Sequence, residues 1–203
     1  MRRVSTTVVA LVGDRAEEMV TALADASNVA TLSAEADTLD PLDRAVETWS
    51  RVASVHARFT LHAADPLAEV GLSWTRLFNG EGHRGELEIA VSEASARWRA
   101  GTIGLPDFYL VLDAEELERT RTHWYLGVLR AAAPSRVIPT RSTDEGVRRA
   151  IAGFAAGRWW PDLPELLGGL DHVTPDRVGI DEPGRTVPGL ETPPPGPRSE
   201  IVS

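Results

Sequence analysis

The chain has 203 residues, of which 42% are hydrophobic, and it carries a formal net charge of −9 with an isoelectric point near 5.1. That length and hydrophobic content are typical of a single globular domain with a core of its own. The acidic balance argues against general binding to nucleic acid or to anionic membranes, because both depend on basic patches.

Two chemically important residue types are missing from the sequence. The absence of cysteine excludes disulfides, thiolate metal sites and cysteine nucleophiles. Lysine is absent too, since all 21 basic residues are arginines. The chain therefore lacks Schiff-base lysines, lysine general bases and the phosphate-binding lysine of a P-loop.

The amino-terminal residues have some features of a signal peptide, with Arg2 and Arg3 preceding an apolar run at 8–12. That run is too short, and Asp14 interrupts it, so a first buried strand is the better interpretation. No apolar segment approaches the roughly 20 residues of a membrane span. We expect a soluble, cytoplasmic protein.

Strand and helix patterns alternate along most of the chain. The predicted strands are 6–12, 29–32, 58–62, 108–112 and 135–140. The predicted helices are 16–26, 43–55, 65–78, 86–100, 114–132, 143–154 and a short one at 164–170. Segment 86–100 also alternates in part like a strand, but fifteen residues is long for a strand and favours a helix.

The clearest unit is the strand–helix–strand pattern that begins at 108–112. This strand is apolar without alternation, as expected when both faces of a parallel sheet are covered. Asp113 is predicted to cap the next helix together with Glu116, and Pro134 to end it. Parallel strands need such a crossover, which is right-handed almost without exception.

These patterns predict a three-layer α/β sandwich with an open, mainly parallel sheet of about five strands, Rossmann-like in architecture. Residues 1–172 are predicted to form the single domain. Residues 173–203 are rich in proline and glycine, and Pro193-Pro194-Pro195-Gly196-Pro197 resembles polyproline. We predict an extended, disordered tail there.

Ligands of open α/β sheets bind outside the carboxyl ends of the strands, so these ends are the places to search. The candidate residues there are Gly13, Asp14, Ser33, Glu35, His62, Asp65, Asp113, Thr140, Arg141 and Ser142. In an enzyme, acid–base work would fall to Asp14, His62 and Asp113. Ligand binding is predicted for Arg141, as an anion clamp, with Ser142 and Asp65. Loop and cap functions explain the same residue types without a ligand.

The turn after the first strand lies where a phosphate-binding loop would lie, but it lacks the required residues. Counting four residues on from Gly13 leads to Glu18-Met19-Val20, where a P-loop needs Gly-Lys-Ser/Thr. The glycines of a dinucleotide-binding turn are missing as well. No nucleophile elbow or zinc-ligand spacing is present, so we expect neither a cofactor nor a metal.

Trp159 and Trp160 follow the last predicted helix of the sandwich and precede Pro161. Adjacent residues of one regular element cannot both face inward. We predict that this pair forms a patch that holds the tail or binds a partner, either another protein or a second copy of the chain.

Two functions remain open at this point. The missing lysine, cysteine and cofactor signatures favour a non-catalytic binding or accessory protein, acting through a protein partner or through a small ligand at the carboxyl ends of the strands. The alternative is a small-molecule enzyme, a hydrolase or transferase, with Asp/His acid–base residues at the same edge.

Overall fold

A computed structural model of the chain describes residues 6–33, 40–155 and 157–173. The strands are β1 (Thr7–Val12), β2 (Val29–Leu32), β3 (Phe59–His62), β4 (Phe108–Leu112) and β5 (Val137–Thr140). The helices are α1 (Ala16–Ala22), α2 (Pro41–Val52), α3 (Ala68–Asn79), α4 (Arg84–Arg99), α5 (Arg119–His123), α6 (Arg130–Ala132), α7 (Asp144–Ala152) and α8 (Leu163–Leu167). A π-helical turn, Trp124–Leu129, joins α5 to α6, and a short helical turn, Leu170–His172, follows α8.

The five strands form one sheet in the order β2-β3-β1-β4-β5, and every neighbouring pair is parallel. β4 is buried along its whole length, which explains its unbroken apolar sequence. Helices cover both faces of the sheet. The predicted three-layer, Rossmann-like α/β architecture is confirmed.

Alternate residues of the central strands belong to two separate cores. On one side, which we call the α1 face, Val9 and Leu11 pack with residues of α1 and α7. On the other side, the α3 face, Ala10 and Val12 pack in a cluster that also contains Trp74 of α3. Helix α4, the π-helical turn and α8 contribute to that same cluster. The apolar cluster on the α3 face is therefore the larger of the two.

The predicted helix after β4 differs from the structure at its start. Helix α5 begins at Arg119, and its cap is Glu118, whose carboxylate accepts hydrogen bonds from the Thr120 and Arg121 amides at 2.9 and 3.0 Å. The predicted capping function of Asp113 is wrong, because its carboxylate binds Ser142 of the next crossover instead. Ser142 lies 29 residues further along the chain, so its contact with Asp113 could not be predicted from local sequence.

Other helical predictions are confirmed. Segment 84–99 is the long helix α4, as its length indicated. Helix α8 and the helical turn after it are docked on the α3 face through buried leucines, namely Leu163, Leu166 and Leu167 of α8 and Leu170 of the turn. The tail predicted over 173–203 lies, apart from Val173, outside the described residues. Within the described ranges, no helix combines the length and apolar character needed to cross a bilayer.

Candidate functional site

At the carboxyl edge of the sheet, the connections that leave the neighbouring strands β1 and β4 run in opposite directions along the sheet. β1 connects towards β2 at one edge and β4 connects to β5 at the other, so the crevice expected for ligands lies between β1 and β4. The space found there is only about 10 Å³. Gly13, at φ 129°, permits this close approach, because a Cβ atom would lie 2.9 Å from the Leu112 carbonyl oxygen.

A hydrogen-bonded network closes this crevice. Ser142 donates both its hydroxyl and its amide to the Asp113 carboxylate, the amide at 3.1 Å. Arg15 donates to the Ser142 hydroxyl oxygen at 2.9 Å and to Glu18 at 2.7 Å. The Ser142 hydroxyl is the main cause that lowers the pKa of Asp113. These groups are satisfied by one another, so they tie the β1, β4 and β5 ends together.

The three candidate acid–base residues occupy different surroundings. Asp14 is exposed and forms an ion pair with Arg121 at 3.3 Å, whereas Asp113 belongs to the network just described. His62 is buried beside Ala10 and Leu32 on the neighbouring strands. In the described part of the chain, no hydrogen bond or ion pair joins His62 to Asp14 or Asp113. Their joint catalytic function stays a prediction.

Burial determines the chemistry of His62. Its Nδ1 atom has no hydrogen-bond partner, and desolvation lowers the pKa of the imidazole to about 4. The Ala64 backbone opposes this shift but is the smaller cause. His62 is therefore a neutral, buried side chain near neutral pH.

The predicted ligand-binding residues are also divided. Arg141 forms an ion pair with Glu115 at the surface, and Ser142 is buried in the network. Asp65 follows β3, which is separated from β5 by β1 and β4. Its carboxylate accepts hydrogen bonds from the hydroxyls of Tyr109 and Tyr125 at 2.8 and 2.9 Å.

Asp65 and its two tyrosines form a buried polar cluster on the α3 face. The Leu67 amide supplies a third hydrogen bond to the Asp65 carboxylate, at 2.9 Å. Desolvation raises the pKa of Asp65 despite these donors, and it raises the pKa of both tyrosines well above the ordinary value. The tyrosines accordingly remain protonated and hold the carboxyl group in place.

A cavity opens beside this cluster, between the start of α2, the first half of α3, and the junction of α5 with the π-helical turn. It encloses about 300 Å³ and adjoins a smaller space of about 130 Å³ that reaches Gly13 and Asp65. The two spaces share as walls Pro41, Arg44, Ala68, Arg121 and Tyr125. We call the combined space the Arg44 cavity.

Three polar atoms on residues lining the Arg44 cavity are buried without a partner. They are Arg44 Nε, Thr75 Oγ1 and Trp124 Nε1. Such groups are exceptional in folded proteins, because each unpaired buried group costs about 1–3 kcal/mol. All three atoms belong to residues that line the same cavity.

Two local features bring the Trp124 indole to this wall. Trp124 begins the π-helical turn, a departure from regular helix that is frequent at functional sites. Gly71 of α3 provides room for the ring, since a Cβ atom at 71 would lie 2.6 Å from Trp124 Nε1. A glycine and a π-helical turn on facing helices thus shape the cavity together.

Charge at the Arg44 cavity is mixed but includes an available cation. Arg44 has no ion pair within the described residues, while Arg121 is shared with Asp14. Of the acidic wall residues, Asp65 is directed to its tyrosines, and Glu69 lies at the edge of the larger space. The cavity is therefore suited to a ligand that accepts hydrogen bonds, and Arg44 is the cation that would face it.

The tryptophan pair is split by the structure. The ring of Trp160 is buried, donates through Nε1 to the Pro106 carbonyl at 2.8 Å, and meets Tyr109 edge-on at 5.7 Å. Trp159 is 52% exposed and its ring stacks on the Arg136 guanidinium at 3.9 Å. Only Trp159 offers surface to a partner.

The sequence did not reveal the main residues of the Arg44 cavity. The helical spacing of Trp124 predicts a core position, which agrees with its buried ring but gives no sign of its unpaired nitrogen. Arg44 and Thr75 are ordinary helix residues in sequence, and no sequence pattern marks them as cavity residues. The predicted candidate Glu35 lies outside the described residues.

Comparison with protein-family models, with curated proteins and with solved structures finds no match to this chain. Across the described ranges, no group of three or more metal-ligating side chains is found.

Proposed function

We propose that this protein is a non-catalytic binding protein for a small organic acid, and that the Arg44 cavity is its binding site. The observation that carries the proposal is the set of unpartnered polar atoms on Arg44, Thr75 and Trp124, three residues that line one space. The arginine and the indole are donors, and the hydroxyl either donates or accepts. A carboxylate, with two oxygens that accept, complements this set.

The size and walls of the cavity define the rest of the ligand. A space of about 300 Å³ is at the lower limit of ligand pockets, so the ligand has few non-hydrogen atoms. Pro41, Ala68 and Leu72 supply apolar wall. Leu72 is 42% exposed in the free protein, and an apolar ligand body would cover it.

Binding is favourable in this arrangement because it removes an existing cost. A carboxylate that accepts from Trp124 Nε1 and Arg44 Nε satisfies donors that otherwise remain buried and unpaired. Charge-assisted hydrogen bonds of this kind are about twice as strong as neutral ones. The ligand loses little conformational freedom when it is compact.

Isothermal titration calorimetry with isovalerate tests the proposal. The wild-type protein should bind saturably, and Arg44→Ala should weaken binding by at least about tenfold, the loss of one charge-assisted hydrogen bond. Arg99→Ala is the matched control. Arg99 is exposed at the end of α4, so this substitution removes the same charge away from the cavity. Equal affinity in the two variants would contradict the proposal.

A second variant tests the charge argument from the opposite direction. Glu69 lies at the wall of the larger space and would repel a carboxylate. Glu69→Gln should therefore tighten isovalerate binding, while binding of the neutral isovaleramide should stay unchanged. If the acid and the amide respond equally to Glu69→Gln, the ligand charge is not sensed here.

The enzyme alternative has one supporting observation of its own. Asp65 lines the smaller space, and desolvation raises the pKa of its carboxyl group, a property shared by many general acids and bases. An enzyme that used Asp65 would convert the bound compound, and Asp65→Asn would abolish turnover while leaving binding intact. The binding proposal instead predicts that a bound ligand is recovered unchanged from the wild-type protein.

A further inference from the structure

The Arg44 cavity contains a buried carboxylate that a simple organic acid would leave unused. Asp65 lines the smaller of the two spaces, about 130 Å³ in volume, and Arg44 lines the same space. Because this space is smaller than an ordinary ligand pocket, groups that bind to the two side chains there belong to one compact ligand.

The hydrogen bonds of Asp65 leave one acceptor position open. Oδ1 accepts from the Leu67 amide at 2.9 Å and from the Tyr109 hydroxyl at 2.8 Å. Among the described residues, Oδ2 accepts only from the Tyr125 hydroxyl, at 2.9 Å. Each carboxylate oxygen has two lone pairs, so Oδ2 can accept one more hydrogen bond.

The open position belongs to the oxygen whose partner lies at the cavity wall. Tyr125 lines both spaces of the Arg44 cavity, whereas Leu67 and Tyr109 line neither. Oδ2 is therefore the carboxylate oxygen of Asp65 that a ligand in the smaller space can reach.

Asp65 also lacks a cation to balance it. The residue is 5% exposed, and it forms no ion pair with any other residue that the structure describes. Desolvation raises the pKa of its carboxyl group, as expected where a negative charge is buried without a positive partner. A positively charged donor at Oδ2 would supply that partner.

The charged residues around the Arg44 cavity are balanced in sign. Arg44 and Arg121 are the cations of its wall, and Asp65 and Glu69 are the anions. Arg121 is paired with Asp14 at 3.3 Å, which leaves Arg44 to bind a carboxylate. A ligand with a single negative charge would meet two carboxylates, whereas a zwitterion complements both signs.

We propose that the ligand of the Arg44 cavity is a small α-amino acid with an apolar side chain, and that its ammonium group donates to Asp65 Oδ2. This inference rests on the proposed binding of an organic acid. The carboxylate binds Arg44 and Trp124, and the apolar side chain lies on the wall formed in part by Leu72. Valine is isovalerate with one added α-amino group, so comparison of the two isolates the ammonium contact.

Calorimetric titration of the full chain with isovalerate, L-valine and D-valine tests the inference. One enantiomer of valine should bind about tenfold more tightly than isovalerate, the gain from one charge-assisted hydrogen bond. The other should bind more weakly, because three groups of the ligand are fixed at once. Racemic 2-hydroxyisovalerate carries a neutral hydroxyl in place of the ammonium group and should bind less tightly than the preferred valine.

These ligand comparisons separate the inference from the proposed function. If neither enantiomer binds more tightly than isovalerate, the ammonium contact is refuted, while isovalerate binding that depends on Arg44 would still support an organic-acid site. If neither valine nor isovalerate binds, both proposals are contradicted.

A substitution at Asp65 tests the contact from the protein side. Asp65→Asn should reduce the affinity for the preferred valine about tenfold and leave isovalerate binding no weaker, since asparagine lacks the negative charge. Retained isovalerate binding also shows that the variant is folded. Asp25→Asn is the matched control, because Asp25 is exposed in the turn between α1 and β2 and lines neither space. Unchanged valine affinity in Asp65→Asn would overturn the inference.

Discussion

The indole nitrogen of Trp124 faces the bare Cα of Gly71, so closely that a Cβ atom there would lie 2.6 Å away. This contact joins the π-helical turn to α3 and forms part of the wall of the Arg44 cavity. It also explains a glycine in the interior of a helix, where alanine is otherwise preferred. The relationship leads to a direct structural prediction.

Gly71→Ala should destabilise the protein by about 1–3 kcal/mol, the usual cost of forcing extra volume into a packed contact. The expected gain in helix propensity is smaller, about 1 kcal/mol. Urea denaturation measures the difference. Gly153→Ala is the control, since its new methyl group would meet only ordinary contacts at 3.5 Å or more, and it should change stability by no more than about 0.5 kcal/mol.

His62 makes stability depend on pH in a defined direction. Burial lowers the pKa of His62 from 6.5 to about 4 in the folded protein, so the unfolded chain binds the proton more readily between these values. Above pH 6.5, His62 is neutral in both the folded and the unfolded protein and costs no stability. As the pH falls to about 4, the unfolded chain binds a proton that the folded protein does not, so the free energy of unfolding decreases. The loss is on the order of 3 kcal/mol.

The measurement is the free energy of unfolding of the wild type and of His62→Gln across this pH range. The wild type should lose stability more steeply on acidification than the variant, because glutamine does not titrate. Asp65 acts in the opposite direction, since its pKa is raised and its contribution falls as the pH rises. Asp65 is present in both proteins and cancels in the comparison, so parallel curves would refute the assignment to His62.

Trp160 and Trp159 should differ in their contributions to stability. Trp160→Ala removes a buried ring and its hydrogen bond to Pro106, which should cost about 3–5 kcal/mol. Trp159→Ala removes a half-exposed ring on Arg136 and should cost about 1 kcal/mol or less. Chemical denaturation of the two variants distinguishes a core residue from a surface residue, and equal costs would contradict this division.

Asp113 stabilises the carboxyl ends of the strands through its hydrogen bonds to Ser142. Its backbone is at φ 41°, a conformation that asparagine tolerates better than alanine, and its carboxylate binds Ser142. Asp113→Ala should therefore destabilise by about 1–2 kcal/mol, and Asp113→Asn by less. If both substitutions are neutral in thermal denaturation, the network with Ser142 and Arg15 does not hold the strand ends together.

The sheet could be predicted from the sequence because its central strands β1 and β4 are buried along nearly their whole length. The uninterrupted apolar run at 108–112 leaves little choice of structure, and the crossover rule then orders the next strand. The length of α4 likewise settled an ambiguous pattern. Local sequence patterns are sufficient to predict a strand or helix where the spacing of its apolar residues matches the faces that are buried.

The candidate site was predicted only in part, because it depends on contacts between distant segments. Asp65 was identified from its place after β3, but its tyrosine partners come from β4 and the π-helical turn. The widened turn at Trp124 has no recognised sequence signal. Asp113 and Ser142 were recognised as edge residues, yet their mutual hydrogen bonds close the crevice in which a ligand was expected.

A small organic acid bound in the Arg44 cavity is expected to accept a hydrogen bond from Trp124 Nε1. The most direct measurement is nitrogen-edited NMR of the tryptophan indole N–H signals during titration with isovalerate. The Trp124 signal should shift saturably, and Arg44→Ala should suppress the shift. The indoles of Trp74 and Trp160 already donate to main-chain carbonyls, so their N–H signals should not shift. A Trp124 signal that does not move at saturating isovalerate, or that moves equally in Arg44→Ala, would contradict the account.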